Sequence, residues 1–139
     1  MNGVFRDTWN SLSPTERDVA TALSMVYEEK SVLDFSRLLN KIGLRPPIGE
    51  SRFTHAVTEQ IVHKLHDLKV IDRHDERTWR INPGVCEAIM RLAHRRPDFE
   101  FMLNEVRREL PYKTYWQPSS PFALMREIRI AFYLQNQSG

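Results

Sequence analysis

The sequence predicts a mainly α-helical protein with one small β-hairpin. Serine–proline or asparagine–proline pairs precede three stretches whose apolar residues recur every three or four positions, the period of an amphipathic helix. One short stretch, residues 70–81, instead alternates apolar and polar residues around a charged turn, which is typical of a hairpin. Only 5 of the 139 residues are glycine, too few for the many tight turns of an all-β fold.

Composition narrows the class of protein before any motif is considered. Apolar residues make up 41% and charged residues 27%, an ordinary balance for a folded domain that can bury a core. The single cysteine excludes an intramolecular disulfide framework, and no apolar run approaches the roughly 20 residues of a membrane span. Residues 1–13 contain Arg6 and Asp7 and lack the apolar segment of a signal peptide. We therefore expect a cytoplasmic or nuclear protein that is not secreted.

The first two predicted helices have clear boundary signals. Ser13-Pro14-Thr15-Glu16 is a capping box with proline at the first helical position, which predicts a helix from Pro14 to about Glu29. A second apolar stripe predicts a helix over residues 32–42, and Gly43 follows it where a left-handed helix end favours glycine. Two adjacent prolines then predict a loop over residues 44–49.

The third helix is the most regular segment of the sequence. It is predicted to begin near Ser51, and its apolar stripe consists of Phe53, Val57, Ile61, Leu65 and Leu68. The hairpin follows, with residues 72–77 as its charged turn. Trp79 lies in the returning strand, and its alternation with Thr78 and Arg80 predicts that it packs in the core.

The remainder of the chain is predicted to be helical. Asn82-Pro83 begins a helix to about Arg95, a further helix is predicted from Asp98 to Leu110, and a proline-rich linker over 111–121 leads to a final helix. That final helix is apolar over a wide arc, so it must dock on the body of the domain, on a second copy or on a further domain. We predict a domain over 14–96 and a C-terminal helical extension over 97–139. Through residues 98–137 the extension would form a homodimer or join a larger protein partner.

The order of three helices and a hairpin over residues 14–82 resembles the winged helix-turn-helix family. Lys30-Ser31-Val32 matches the short first strand of that fold, and within Ile61–Arg73 two leucines three apart lead into a strand, as they do in the family. The connection over 43–50 is longer than a typical helix-turn-helix turn, and Lys69 stands where the family often has glycine.

The resemblance implies a non-enzymatic protein that binds double-stranded DNA, with the third helix in the major groove and residues 72–77 as the wing. It would act in transcription regulation or as part of a larger DNA-processing assembly. Base-edge contacts are implied for Arg52, Thr54, His55 and Glu59. Contacts to phosphates or the minor groove are implied for Arg45, Lys41, Lys64, Arg73, His74 and Arg77.

The same surface also fits a module that binds protein instead of DNA. Asp72, Asp75 and Glu76 cancel much of the wing's positive charge, and Glu59 would face phosphates. The whole chain has a net charge of only +2, whereas DNA affinity depends on neutralising phosphates. The sequence leaves both interpretations open.

No other motif predicts chemistry. His55, Glu59 and His63 have helical spacing for a metal site, but solvated histidines are the preferred interpretation because the set is incomplete. Cys86 is expected in the core. The basic cluster over 91–96 fits either a helix C-terminus or a phosphate patch. Neither a glycine-rich phosphate loop nor a nucleophile elbow is present in the sequence, so we expect neither enzymatic activity nor a cofactor.

Overall fold

Helices and one hairpin make up the part of the chain that the computed structural model describes, residues 3–110 and 128–133. The elements are α1 (Gly3–Ser11), α2 (Pro14–Val26), α3 (Val32–Lys41), α4 (His55–Asp67), β1 (Ile71–Arg73), β2 (Trp79–Ile81), α5 (Pro83–Ala93) and α6 (Phe99–Glu109). Residues 128–133 form a further helical segment, α7. The predicted fold class, mainly helical with a small antiparallel hairpin, is confirmed.

Helix α2 begins as predicted but ends early. The Ser13 hydroxyl accepts the Glu16 N–H at 3.1 Å, and the Glu16 carboxylate accepts the Ser13 N–H at 2.8 Å, which completes the capping box. The predicted end at Glu29 is wrong, because Tyr27 adopts a left-handed conformation with φ 59° and its N–H bonds the Leu23 carbonyl. A left-handed residue closes the last turn and redirects the chain.

Helix α4 begins later than predicted. Its N-cap is Thr54, whose hydroxyl accepts the Val57 N–H at 3.2 Å, so the predicted start near Ser51 is wrong. The Asn40 side chain bonds both the N–H and the carbonyl of Phe53, each at 2.8 Å. This clamp holds Phe53 outside the helix with its ring buried in the core. Arg52 therefore lies on the connection before α4 and not on the helix.

The connection between α3 and α4 has defined turns. Gly43 is left-handed, with φ 81°, as predicted. Further along, Gly49 has φ 93° and the Glu50 N–H bonds the Pro47 carbonyl at 3.0 Å, which forms a β-turn. This turn leaves the Ile48 side chain fully exposed.

The hairpin pairs β1 with β2 in antiparallel register, with Ile71 opposite Ile81. Trp79 is only 4% exposed, which confirms its prediction as a core residue. The strand predicted over residues 30–32 is reduced to one bridge, in which Lys30 and Trp79 exchange backbone hydrogen bonds of 3.0 and 2.9 Å. Ser31 does not extend the strand because it is the N-cap of α3, and its carbonyl already accepts the Phe35 N–H of that helix at 3.0 Å.

Helix α2 lies at the centre of the core and contacts α4, α5, α6 and β2. The buried residues of α6 belong to the same hydrophobic cluster as those of α2; they are Phe99, Met102, Leu103 and Val106. Cys86 is also fully buried there, as predicted, and burial raises the pKa of its thiol. The predicted domain boundary at 96/97 stays a prediction, with core residues on both sides of it.

The first and last helices that the structure describes, α1 and α7, also contribute residues to this core. Helix α1, which the sequence patterns did not predict, is held by Arg17, whose guanidinium donates to the Trp9 carbonyl at 3.0 Å and the Asn10 carbonyl at 3.2 Å. At the other end, α7 packs on α5, where Arg129 and Tyr133 both donate to the Glu87 carboxylate. The predicted linker over 111–121 and the beginning of the final helix lie outside the described residues.

Candidate interaction surface

The outer face of α4 presents a row of polar side chains at helical spacing. His55, Glu59 and His63 are each about half exposed, with side-chain exposures of 57%, 47% and 52%. The Glu59 carboxylate lies between the two rings, 3.4 Å from His55 Nδ1 and 3.7 Å from His63 Nε2. Glu59 is therefore directed at its own helix neighbours. Among the described residues, no group of three potential ligands has the geometry to hold a metal ion.

The hairpin turn is organised by Asp75. Its carboxylate accepts the backbone N–H of Arg77 at 2.8 Å and of Thr78 at 2.9 Å. These hydrogen bonds, with Arg77 the largest contribution, lower the pKa of the Asp75 carboxyl below its usual value. The turn therefore has a defined backbone conformation although its side chains are exposed.

Arg73 is folded back onto the hairpin. Its guanidinium donates to the Asp75 carbonyl at 3.1 Å and to the Glu76 carbonyl at 2.6 Å, and its central carbon lies 4.9 Å from the centroid of the Trp79 ring. On the α4 side, His63 and His66 approach the same ring edge-on at 5.4 and 5.0 Å. Arg73 thus fixes the hairpin instead of projecting from it.

Lys64, a predicted phosphate contact, is also paired within the protein. Its ammonium lies 2.9 Å from the Glu16 carboxylate on α2, the same group that closes the capping box. Partial burial alone would raise the pKa of Glu16, but the bonds from Ser13 and Lys64 lower it overall. Nothing in the sequence pattern relates two residues this far apart, so the pairing could be found only from the structure.

The other predicted contacts are distributed over four places. Lys41 is the last residue of α3, and its ammonium lies 3.5 Å from the Glu109 carboxylate of α6. Arg45 and Arg52 are exposed on the connection before α4, and neither guanidinium has a hydrogen bond or ion pair with another described residue. Thr54 caps α4. His74 and Arg77 are exposed at the hairpin turn. The predicted set is therefore not one continuous basic surface.

The segment over residues 45–77, which includes the connection before α4, α4 itself and the hairpin turn, has no net charge when its histidines are neutral. Residues 45–77 contain six basic residues, Arg45, Arg52, Lys64, Lys69, Arg73 and Arg77. They contain six acidic residues, Glu50, Glu59, Asp67, Asp72, Asp75 and Glu76. As a whole, this segment brings no net positive charge to phosphates.

A concave site lies beside this face. An open groove of about 290 Å³ separates the N-terminal end of α3 from α4 and the hairpin. Leu33, which is 46% exposed, lines it together with Trp79 and Arg77. Sequence reasoning missed Leu33. Its place just outside the buried stripe of α3 is visible in the sequence, but its position beside the hairpin is not.

The basic cluster over 91–96 is partly structural. Arg96 bonds Asp18 on α2 at 2.8 Å and Asp98 at 2.9 and 3.1 Å, so this guanidinium links α2 to the beginning of α6. Arg91 and Arg95 are exposed. The two interpretations of the cluster, cations at a helix C-terminus or a phosphate-binding patch, therefore apply only to Arg91 and Arg95.

No protein-family model matches this chain, and no curated protein or solved structure is significantly similar to it. In the part of the chain that is described, every helix is too short or too polar to cross a membrane.

Proposed function

We propose that this chain is a non-enzymatic winged-helix module that binds a protein partner, not duplex DNA, through the exposed face formed by α4 and the hairpin. The observation that carries this proposal is the balance of six basic and six acidic residues over 45–77. Three of the predicted DNA contacts, Lys41, Lys64 and Arg73, already have partners within the protein.

The physical argument concerns the source of DNA affinity. Non-specific binding to a duplex comes from basic side chains that replace counterions at phosphates, and each acidic side chain on the same face opposes it. Protein interfaces, in contrast, combine charges of both signs with apolar contacts. The α4–hairpin face has this mixed composition, with Glu59 at its centre and Leu33 beside it.

Duplex DNA remains the second candidate because of the connection before α4. Arg45 and Arg52 are exposed there and have no ion pair among the described residues. Two phosphate contacts predict weak binding, in which the logarithm of affinity falls with that of salt with a slope of only about 2.

A titration of a fluorescein-labelled random duplex, followed by fluorescence anisotropy at low and moderate salt, tests the proposal. We expect no saturable binding to the wild-type chain. The variant Glu59→Gln/Glu76→Gln should gain salt-sensitive binding, because it leaves an excess of basic residues on the face. The control Asp7→Asn/Glu100→Gln makes the same change in net charge on α1 and α6 and should not gain it.

Tight, salt-sensitive binding by the wild-type chain would contradict the proposal. If that binding were lost in Arg45→Ala and Arg52→Ala, the second candidate would replace it.

The cytoplasmic or nuclear location and the association through residues 98–137 also remain predictions. Sedimentation at tens of micromolar tests association with a second copy, because specific homodimers persist in this range. A monomer would contradict the homodimer.

A further inference from the structure

Four of the five histidines of the chain lie on the α4–hairpin face. They are His55, His63, His66 and His74, and all four are exposed. The fifth, His94, is half-buried at the end of α5 against two aromatic rings. Imidazole is the side chain that changes its charge between neutral pH and mild acid. The charge that this protein gains in mild acid is therefore concentrated on one face.

This gain changes the sign of the charge balance. With neutral histidines, residues 45–77 have no net charge, because their six basic and six acidic residues cancel. Protonation of the four histidines brings the same segment to a net charge of +4. Ordinary carboxyl groups have pKa values of about 4, so at about pH 5.5 they keep their charge while imidazole gains one. The excess of positive charge appears only in acid.

The groove beside α4 shows this change locally. Its titratable lining groups come from α4 and the hairpin, and among the described residues α3 adds none; they are His55, Glu59, His63, Arg73, Glu76 and Arg77. Two arginines balance two glutamates while the imidazoles are neutral. Both histidines already lie near the Glu59 carboxylate, which is counted in that balance. Each proton they take up therefore adds net positive charge to the groove.

The other two histidines lie at the edges of the groove. His66 approaches the Trp79 ring edge-on at 5.0 Å, and the Arg73 guanidinium of the hairpin lies 4.9 Å from the same ring. His74 at the hairpin turn interacts electrostatically with the neighbouring Asp75 carboxylate. This carboxylate also belongs to the neutral balance, so the charges of His66 and His74 add to those of the groove.

The positive groups of the protonated face are spread out and do not converge on one point. Arg45 and Arg52 are exposed on the connection before α4, the imidazoles of His55 and His63 follow along α4, and His74 lies at the hairpin turn. A small anion needs donors that meet at one position. Duplex DNA presents one negative charge for about every 1.7 Å of its axis, so it can contact separated groups at the same time.

We propose that this face has a second, acid-dependent activity, in which protonation of its four histidines enables it to bind the phosphate backbone of duplex DNA. Above about pH 7 the histidines are neutral and the duplex is not bound. The inference rests on the proposed function, which takes the neutral face as its premise. It adds the condition under which that face changes its ligand.

Fluorescence anisotropy of a labelled random duplex at about pH 7.5 and about pH 5.5 tests the inference. We expect no saturable binding of the wild-type chain at the higher pH and saturable binding at the lower one. The logarithm of the affinity in acid should fall with that of the salt concentration with a slope of about 2–4, since up to four added charges replace counterions. Circular dichroism at both pH values establishes that the chain is folded.

Two variants remove part of the added charge. His55→Gln/His74→Gln leaves both histidines that contact the Trp79 ring in place, and His55→Gln/His63→Gln acts on the groove itself. Each should weaken binding at about pH 5.5 by about tenfold or more and lower the salt slope by about 2. Conversely, His55→Lys/His74→Lys makes two of the charges permanent. It should bind the duplex at about pH 7.5 and depend less on pH than the wild type.

A further variant distinguishes this face from the basic cluster over residues 91–96. Arg91→Gln/Arg95→Gln removes two exposed charges near the end of α5, which is as many as either histidine-to-glutamine variant removes in acid. We expect it to keep the acid-dependent binding within about threefold of the wild type.

Four outcomes would overturn the inference: no binding by the folded wild type at about pH 5.5, loss of the folded state at that pH, equal binding by the wild type and both glutamine variants, or loss of binding only in Arg91→Gln/Arg95→Gln. Each would leave the proposed function standing, because that function concerns the neutral face. Saturable, salt-sensitive binding of the wild-type chain at about pH 7.5 would overturn the proposed function itself.

Discussion

Most polar contacts on the α4–hairpin face join residues close in sequence, with the Lys64–Glu16 ion pair as the exception, whereas the polar contacts around α5 join distant segments. On the first surface Glu59 contacts residues four positions away, and Arg73 bonds carbonyls two and three positions ahead. Around α5, the Arg96 guanidinium donates a hydrogen bond to the Asp18 carboxylate of α2, and the Glu87 carboxylate accepts hydrogen bonds from Arg129 and Tyr133 of α7. Local pairs can form in a helix or turn by itself, whereas the long-range pairs exist only in the folded protein.

This difference separates residues that maintain the fold from residues that are available for function. Removing a local, exposed pair costs little folding free energy, because its members lose little on unfolding. The α4–hairpin charges can therefore change while the fold persists, which is what a binding surface requires. Three residues on this side of the molecule are exceptions: Lys64 pairs with Glu16 of α2, Trp79 is buried, and Lys69 has a left-handed conformation.

The largest effect is expected from Trp79→Ala. This substitution removes a buried ring that contacts α4 through His63 and His66, so we expect a loss of about 3–5 kcal/mol in the free energy of unfolding. Urea denaturation followed by circular dichroism measures it. A loss below about 1 kcal/mol would show that the hairpin is not part of the core.

The next effect is expected from Arg96→Ala, which leaves Asp18 and Asp98 without their guanidinium. The pair is only partly exposed, so the expected loss is about 1–2 kcal/mol. Arg95→Ala, an exposed neighbour, should have no measurable effect. Equal losses in both variants would contradict the long-range role of Arg96.

Acid should affect the wild-type chain and Arg96→Ala differently. The hydrogen bond from Arg96 holds the pKa of the Asp98 carboxyl below its usual 3.8. Asp98 therefore stabilises the folded state above pH 3.8, and this contribution is lost as the pH falls toward its lower folded pKa. The stability difference between the wild type and Arg96→Ala should narrow over that interval. A constant difference would assign the effect to packing.

A smaller effect of opposite sign is expected from Lys69→Gly. Lys69 ends α4 with φ 63°, a left-handed conformation that strains any residue with a Cβ atom. Glycine relieves the strain but gains entropy in the unfolded chain, so we expect a net stabilisation of about 0.5–1 kcal/mol. Lys69→Ala keeps the Cβ and removes the charge. If it stabilised the protein equally, charge and not conformation would be the cause.

The smallest effect is expected from Glu59→Gln. Glutamine retains the size of the side chain, and the lost pairs are local and exposed, so the free energy of unfolding should change by less than about 0.5 kcal/mol. Urea denaturation measures this change. A loss above about 1 kcal/mol, twice the limit expected for an exposed substitution, would show that the Glu59 carboxylate maintains the fold. The α4–hairpin face would then not differ from the surface around α5 in its contribution to stability.

Much of the fold could be predicted because its signals are local. The capping box at Ser13, the left-handed Gly43 and the alternation around Trp79 each depend on neighbouring residues only, and the structure confirms all three. The start of α4 could not be predicted, because Phe53 continues the apolar stripe of the helix. The clamp from Asn40, thirteen positions earlier, is what excludes Phe53 from α4.

The candidate site was predictable in its residue types and not in its arrangement. Glu59 between two histidines follows from helical spacing, and the acidic residues of the hairpin turn are evident in the sequence. The sequence does not show that Lys64 pairs with Glu16 or that Leu33 lies beside the hairpin, because each of these contacts joins segments far apart in the chain.

The sequence by itself determined the helical class, the capping box at Ser13, the hairpin and the balance of charges, since each of these depends on composition or on residues within one or two turns of each other. Only the tertiary structure decided which charges are already paired, where α4 begins and where a groove opens. Those features depend on the positions of whole elements, which packing of the common core around α2 establishes.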